Sequence, residues 1–400
     1  MSPLASGLHE AAGKTEFARI DHVARCTGMS ICRVRFLSEC RNDPDLRKPP
    51  WTLTPVNHPP RSGQIIDRSR TWGSPDCLSL TGLCVVESCR RVQGPLAGQL
   101  LSMLGATVIR IEPPGGDPLR GMPPMAGTCS ARFVALNRGK DIREIDIKSI
   151  SGRAALRELV ERADVFMHNW APGKAAALGL DSADLTSVNP RLVYAYLSGW
   201  GDALGSNPPL GTDFMAQAYS GVADVACAGR PGASLMTLLD LLGGLLATEA
   251  VLAGLIATHR GGQGQIVGTS LLSASAVLLD DELRAPRRIR GRGADPLDAT
   301  FSTPDGVLAM SAFTATSVRR LYEALGVDPF DMTAGTLLDQ VRRVLATRPA
   351  AHWAALLGHA GVPCAVARAD LAELAAEEQI ATVLSREPGC AVVTSPWSFQ

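Results

Sequence analysis

Apolar positions along this chain follow two rhythms, and the change between them marks its organisation. Residues 83–86 form an apolar run of strand length beside turn residues, which reads as a short buried strand. Gly94 and Pro95 then open a helix, because proline in a first turn gives up an N–H that has no partner there. Leu96, Leu100, Leu101 and Leu104 make one apolar stripe on that helix, "GA" ends it, and "TVIRIE" is the second strand. A helix over residues 152–162 precedes the strand "ADVFMHNW", and "RLVYAYLSGW" is a further strand. This alternation predicts a parallel sheet covered on both faces, a Rossmann-like α/β large domain.

Past Gly211 the rhythm turns helical, with candidate helices at residues 215–226 and 241–259. "RGGQGQIVGTSLLSASAVLL" follows as turn, strand and helix. From Arg284 the charged, turn-rich "RAPRRIRGRGADP" reads as a connector, Pro304, Asp305 and Gly306 as the turn of a hairpin, and the rest through Glu378 as amphipathic helices. That is a smaller α+β domain. The first 78 residues lack a steady period and carry the Pro-punctuated "RKPPWTLTPVNHPPRSG", with one short helix near residues 10–26. They read as a loosely ordered appendage. The expected division is 1–78, 79–283 and 284–400.

Charge narrows the partners. Lys plus Arg and Asp plus Glu each number 39, so no net field draws the chain to nucleic acid or to an anionic membrane. The ten cysteines show no C-x-x-C pair, and no histidines cluster at ligand spacing, so reduced thiols, no metal and a cytoplasmic location are expected. The start, "MSPLASGLHEAAGK", lacks the basic region and apolar block of a secretory signal. The apolar run over residues 241–257 contains Thr248 and Glu249, falls short of a comfortable membrane span and reads as a buried helix.

The first strand-to-helix turn tests for a dinucleotide. Such a site wants G-x-G-x-x-G, so that the backbone approaches the pyrophosphate. Here the turn reads "CRRVQGPLAG", the glycine spacing is wrong, and Pro95 removes an N–H. Glu112, at the end of the second strand, stands where a ribose-binding acid would be, but without the glycine turn NAD is disfavoured. Arg90, Arg91, Arg110, Arg120, Arg138, Lys140 and Lys148 lie on or near loops of this half-domain. Dispersed cations suit a ligand with separated phosphates, such as coenzyme A; taken singly, each also reads as a solvated surface charge.

The stretch "LTGLCVVESCRRVQGPLAGQLLSMLGATVIRIEPPGGDPLRG" resembles the N-terminal signature of the family III CoA-transferases, the CaiB/BaiF family. "LNRGKDIREIDIKSISGRAALRELVERADVFMHNWAPGKAAALGL", "VNPRLVYAYLSGWG", "TDFMAQAYSG", "RGGQGQIVGTSLLSASAVLL" and "HWAALLGHAGVPCAVA" match further blocks in order, over roughly residues 79–400. The resemblance implies an interlocked homodimer acting on acyl-CoA and carboxylic acids, with no tightly bound cofactor. It implies CoA contacts at Val92, Gln93, Ile145, Asp146, Ile147, Lys148, Asn169, Trp170 and Ala171, with Thr212 also in the site. It places the family's nucleophile at Asp240, where a carboxylate forms an anhydride and then a thioester with CoA.

Taken alone, Asp240 reads equally as a nucleophile or as a helix cap whose neighbouring N–H groups and dipole keep it ionised. Gly243 and Gly244 would each cost about 1 kcal/mol against Ala inside a helix, which suggests a close approach to the backbone there. Asp213 orients groups around the site or caps a helix before Phe214. Thr212 stands where the racemase branch has a histidine base, and a threonine does not exchange protons near neutrality. Leu239 replaces the usual glycine, and Pro113 and Ala177 stand where formyl-CoA transferase has arginines, which implies either looser CoA binding or replacement by Arg110 or Arg120. A shortened C-terminal return segment is also expected. The alternatives are therefore an acyl-CoA racemase and an inactive CoA-binding paralogue. His168 reads as a polar lining residue and His259 as a helix-end residue.

Overall fold

A computed structural model of the chain describes residues 3–56, 78–205, 207–226, 232, 234, 236–284, 297–328, 336–368, 370–395 and 397. Two compact units result, residues 1–285 with 383–400, and residues 286–382. The principal elements of the first are α1 (Pro3–Gly13), α2 (Phe17–Thr27), β1 (Trp51–Pro55), β2 (Cys84–Ser88), α3 (Gln93–Met103), β3 (Thr107–Glu112), β4 (Asp141–Glu144), α4 (Ile150–Glu161), β5 (Val165–His168), β6 (Val193–Ser198), α5 (Asp213–Ser220), α6 (Val222–Ala226), α7 (Leu238–Gly261), β7 (Gln265–Ser270) and α8 (Leu271–Leu278).

The seven strands form one sheet in the order β1-β7-β6-β5-β2-β3-β4. All neighbours are parallel except β1, which runs antiparallel to β7. Without β1 this is the Rossmann strand order, and it reverses between β2 and β5. The inner strands β2, β5 and β6 are buried on both sides because both faces are covered there, whereas the edge strand β4 is exposed along its length. Val85, Val165, Met167, Val193 and Ala195 point toward α3 and α7, and pack with Leu101, Val251 and Leu255. Val86, Phe166 and Tyr194 alternate to the other face and meet Leu156 and Val160 of α4 and Leu185.

Helix α7 is long and apolar enough to cross a membrane by composition, yet half of its residues are buried within this chain. It lies against α3, β6, β7 and α8, and its remaining face, with Leu245 and Ile256, is exposed in this chain.

Three expectations change. The N-terminal residues are not an appendage: β1 completes the sheet edge, with Trp51 and Leu53 packed against its core, while Cys40 and Leu46 join the core around α5 and α8. Pro55 is tolerated there because an edge strand leaves N–H positions unused. Residues 57–77 lie outside the described residues, as do residues 285–296 of the expected connector. The single helix near residues 10–26 is two. The helix at 215–226 breaks at Gly221, whose φ of +87° a side chain disfavours. The expected C-terminal return segment is seen as well. A hairpin of Leu384–Glu387 and Cys390–Val393 belongs to the first unit, Arg138 Nη2 donates to Val393 O, and Trp397 packs against the sheet core.

The second unit has a three-stranded antiparallel sheet, Asp298–Thr303, Gly306–Ser311 and Cys364–Val366, and the first pair forms the expected hairpin. Its core joins Phe301 and Leu308 to Leu321, Leu345, Trp353 and Leu357 of the helices Ala315–Leu325, Leu337–Leu345 and Ala350–His359.

Candidate active site

A cleft of about 820 Å³ opens where β2, β3, β5 and β6 end, across the point at which the strand order reverses. Open α/β sheets bind ligands at that place. On the β3–β4 side it is lined by Pro113, Pro114, Ile145, Asp146, Ile147 and Lys148. After β5 come Asn169, Trp170, Ala171 and Lys174, and on the β6–β7 side come residues 199–201, 207–211 and Leu271. Gln93 and Asp240 line it as well. Val92 and Thr212 are not among the lining residues. Val92 is the N-cap of α3, and the Thr212 hydroxyl accepts the Met215 N–H as the N-cap of α5.

Asp240 sits in the first turn of α7 and is 8 % exposed. The close approach suggested by Gly243 and Gly244 is that of α3: a Cβ on Gly243 would lie 2.9 Å from Gln93 Nε2, and one on Gly244 would lie 2.8 Å from Leu96 Cδ2. The two glycines thus let Gln93 reach the same helix turn region as Asp240. Gln93 Nε2 is buried without a hydrogen-bond partner among the described residues.

The helix N–H groups do not keep Asp240 ionised. They are taken by Asp213, whose Oδ2 accepts from Leu239 N at 2.7 Å and Asp240 N at 2.8 Å. Asp213 therefore caps α7 rather than its own helix, and Gln217 Nε2 holds its other oxygen. Burial, with the charge of Asp213 added, pushes the Asp240 carboxyl up to about 7, against the pull of Arg91 and the Gln93 backbone. Such a carboxyl is divided between its two forms at neutral pH.

Three cations considered for ligand binding, Arg110, Lys140 and Arg120, are held in ion pairs. Arg110 is buried, with Nη1 on Glu87, Nη2 on Asp117 Oδ2 at 2.5 Å and Nε on Glu112 Oε1 at 3.2 Å. Lys140 Nζ reaches Glu87 Oε2 at 2.7 Å, also buried, and Arg120 Nε holds Glu112 Oε2 at 3.0 Å. Charges buried on strands demand such partners, so neither Arg110 nor Arg120 replaces the missing arginines, and the Glu112 carboxylate is already occupied.

The cations at the cleft are Arg90, Arg91, Lys148 and Lys174. Lys174 was not anticipated; its signal was its place one turn before Ala177. Its acidity is raised by burial and by the nearby charges of Arg90 and Lys148, which makes these three neighbours. Asn169 fixes the adjoining turn, accepting from Arg90 N at 2.9 Å and donating to Arg90 O at 2.7 Å. Arg91 follows with φ at +65°, a left-handed conformation costly for a side-chain residue. Trp170 Nε1 donates to Ser88 Oγ at 3.2 Å, with Lys174 Nζ 5.7 Å from its ring. His168 lies beneath, off the cleft lining: Nε2 pairs with Tyr194 OH at 2.7 Å, and burial holds the imidazole neutral, down to about 3. Among the described residues no group of His, Cys, Asp and Glu is arranged to hold a metal.

The model of "CoA-transferase family III" matches residues 80–399. The chain is 32 % identical over 245 residues to human succinyl-CoA:glutarate CoA-transferase, covering 58 % of itself and 56 % of that protein. It thus spans little more than half the length of that relative. Acetyl-CoA:oxalate CoA-transferase of Acetobacter aceti is 31 % identical over 70 % of this chain and 79 % of its own. Among solved structures, a CaiB/BaiF family protein from Brucella suis superposes with a TM-score of 0.69 at 28 % identity, covering 80 % of this chain and 92 % of that one. Rv3272 from Mycobacterium tuberculosis does so with a TM-score of 0.69 at 27 % identity over 81 % and 94 %. With its sheet order, its cleft and a match over four-fifths of its length, this chain belongs to the family III CoA-transferases, the CaiB/BaiF family.

Proposed function

We propose that this chain moves CoA between carboxylic acids, with Asp240 as nucleophile. The carrying observation is a carboxyl in the wall of the cleft whose burial brings its acidity to about 7. An ionised but poorly hydrated carboxylate is a better nucleophile than a solvated one. Its oxygen attacks the thioester carbonyl, the C–S bond breaks, and the CoA thiolate leaves an aspartyl–acyl anhydride. The thiolate then attacks the aspartyl carbonyl, and the donor acid departs as a carboxylate. The acceptor carboxylate runs the two steps in reverse, so no proton is gained or lost overall. The unpartnered Gln93 Nε2 is a donor for the oxyanion that develops at each attack.

Arg90, Lys148 and Lys174 provide the charge for the CoA phosphates, with Trp170 as an apolar wall. Lys174 takes the place of the cation missing at Ala177. Relatives named for succinate, glutarate and oxalate make small dicarboxylic acids the first acceptors to try. A racemase relative also exists, but Thr212 here caps a helix and offers no second base. A homodimer in the cytoplasm completes the reading, checked by light scattering and fractionation.

The test is mass spectrometry after incubation with succinyl-CoA. A CoA thioester on the Asp240 peptide, lost to hydroxylamine, is expected, and Asp240→Ala abolishes exchange. Full exchange by Asp240→Ala overturns the mechanism. Deuterium incorporation at the α-carbon without an acceptor acid would favour the racemase.

A further inference from the structure

The family match begins at residue 80, yet one residue before it lines the cleft: Ser30. It belongs to the extended stretch after α2, which the sequence marked in no way. That stretch is tied down along its length. Cys32 Sγ donates to Met215 O at 3.4 Å and Arg35 N to Ala218 O at 2.9 Å, both on α5. Leu37 N donates to Asp224 Oδ2 at 3.0 Å, on α6, and Cys40 is buried beyond it.

Ser30 meets the loop at residues 207–211, which also lines the cleft: its Oγ accepts the Leu210 N–H at 3.1 Å. The loop's inner side is held by Trp200 Nε1, which donates to Pro209 O at 2.7 Å. Behind it Gly211 touches Gly199, leaving no room for a Cβ on either. Two residues beyond Gly211 is Asp213, whose carboxylate receives the N–H of Asp240. The Ser30 contact thus stands at the Asp240 side of the cleft, across the sheet order from Lys148 after β4.

We propose that Ser30 and the loop it braces form the end wall of the acyl chamber, so that the N-terminal segment sets the length of acid accepted. This rests on the CoA reading above. Serine leaves space that a larger side chain would fill, and filling it opposes long acyl groups without touching the phosphate end.

The experiment is calorimetric titration of the full chain with CoA, acetyl-CoA, butyryl-CoA and octanoyl-CoA. Ser30→Trp keeps the wild-type affinity for CoA within about twofold and loses about tenfold or more for the longest acyl-CoA that wild type binds. Ser30→Leu loses less, in the same order, and covers the case in which tryptophan prevents folding. Val34→Trp, exposed on the same segment but off the cleft, changes nothing in the series. An equal loss across the series, CoA included, or no loss at all, overturns the wall while the CoA reading stands. Failure of wild type to bind CoA overturns both.

Discussion

Asp240→Asn should abolish turnover and make the protein more stable, by an amount that depends on pH in a definite direction. In the unfolded chain the carboxyl ionises near 3.8, whereas in the folded chain burial and Asp213 raise it to about 7. Between those values the native state holds a proton that the unfolded state has released, so wild-type stability falls as pH rises through the window. The slope is about 1.4 kcal/mol per pH unit, and the full difference is about 4 kcal/mol above pH 8. Asparagine matches the carboxyl in shape and does not titrate. The assay is urea unfolding of both proteins at pH 4, 6 and 8, following the transition of the unit that carries the sheet, with m-values checked for equality. The gap should be small at pH 4, reach about 3 kcal/mol by pH 6 and level off above pH 8. A gap flat across this range, or one that narrows as pH rises, would mean that the carboxylate is not held against its solvation preference. The proposed activation of the nucleophile would then lose its physical basis.

Three further outcomes follow from the same geometry. Exchange activity should rise with pH through about 7, because only the ionised Asp240 attacks, and Asp213→Asn should move that midpoint downward by removing a neighbouring charge; a rate that falls through the same range would make Asp240 an acid instead. Lys174→Met should raise the KM for acyl-CoA about fivefold with kcat little changed, and Ala177→Arg in that background should restore it, read from steady-state kinetics. Gly98→Ala should cost more than about 3 kcal/mol in urea unfolding, since its Cβ would stand 1.9 Å from Glu87 Oε2 and break the ion pairs of Arg110 and Lys140.

The parallel sheet was legible because its inner strands are buried on both faces and so appear as runs of apolar residues too short for helices, whereas β4, exposed along its length, shows no such run. The N-terminal strand was not. Trp51 to Pro55 pairs on one side only, so half of its residues face solvent and its pattern fades into the surrounding prolines. At the site, Asp240 and the glycines after it were legible as a constellation, and Gln93 proved to be what those glycines admit. The charges were read less well. A formal count does not separate Arg110, buried among three carboxylates, from Arg90 in the cleft, because that depends on which strand neighbours supply partners. Asp213 was read either as orienting groups around the site or as a local cap; its carboxylate crosses to the next helix and takes the Asp240 N–H, a pairing set by how α5 and α7 meet.

The Rossmann order without its glycine fingerprint also has a physical explanation. A dinucleotide fold directs the N-terminus of its first helix at a pyrophosphate, and glycines clear the approach. Here the first turn of α3 holds Gln93 and Pro95 instead, and a different helix is the one approached closely, α7, at Gly243 and Gly244. The start of α3 therefore meets the helix that carries Asp240, the nucleophile proposed above, rather than standing clear for a phosphate. Phosphate affinity has to come from side chains, and the three neighbouring cations lie on the loops after β2, β4 and β5. Side-chain cations bind phosphates that are spread apart, as in CoA, where a single helix N-terminus serves one compact pyrophosphate. On the proposed reading, the same switch point would hold a long ligand along the sheet edge, with its charged end on the Arg90, Lys148 and Lys174 side and its reactive end toward Asp240.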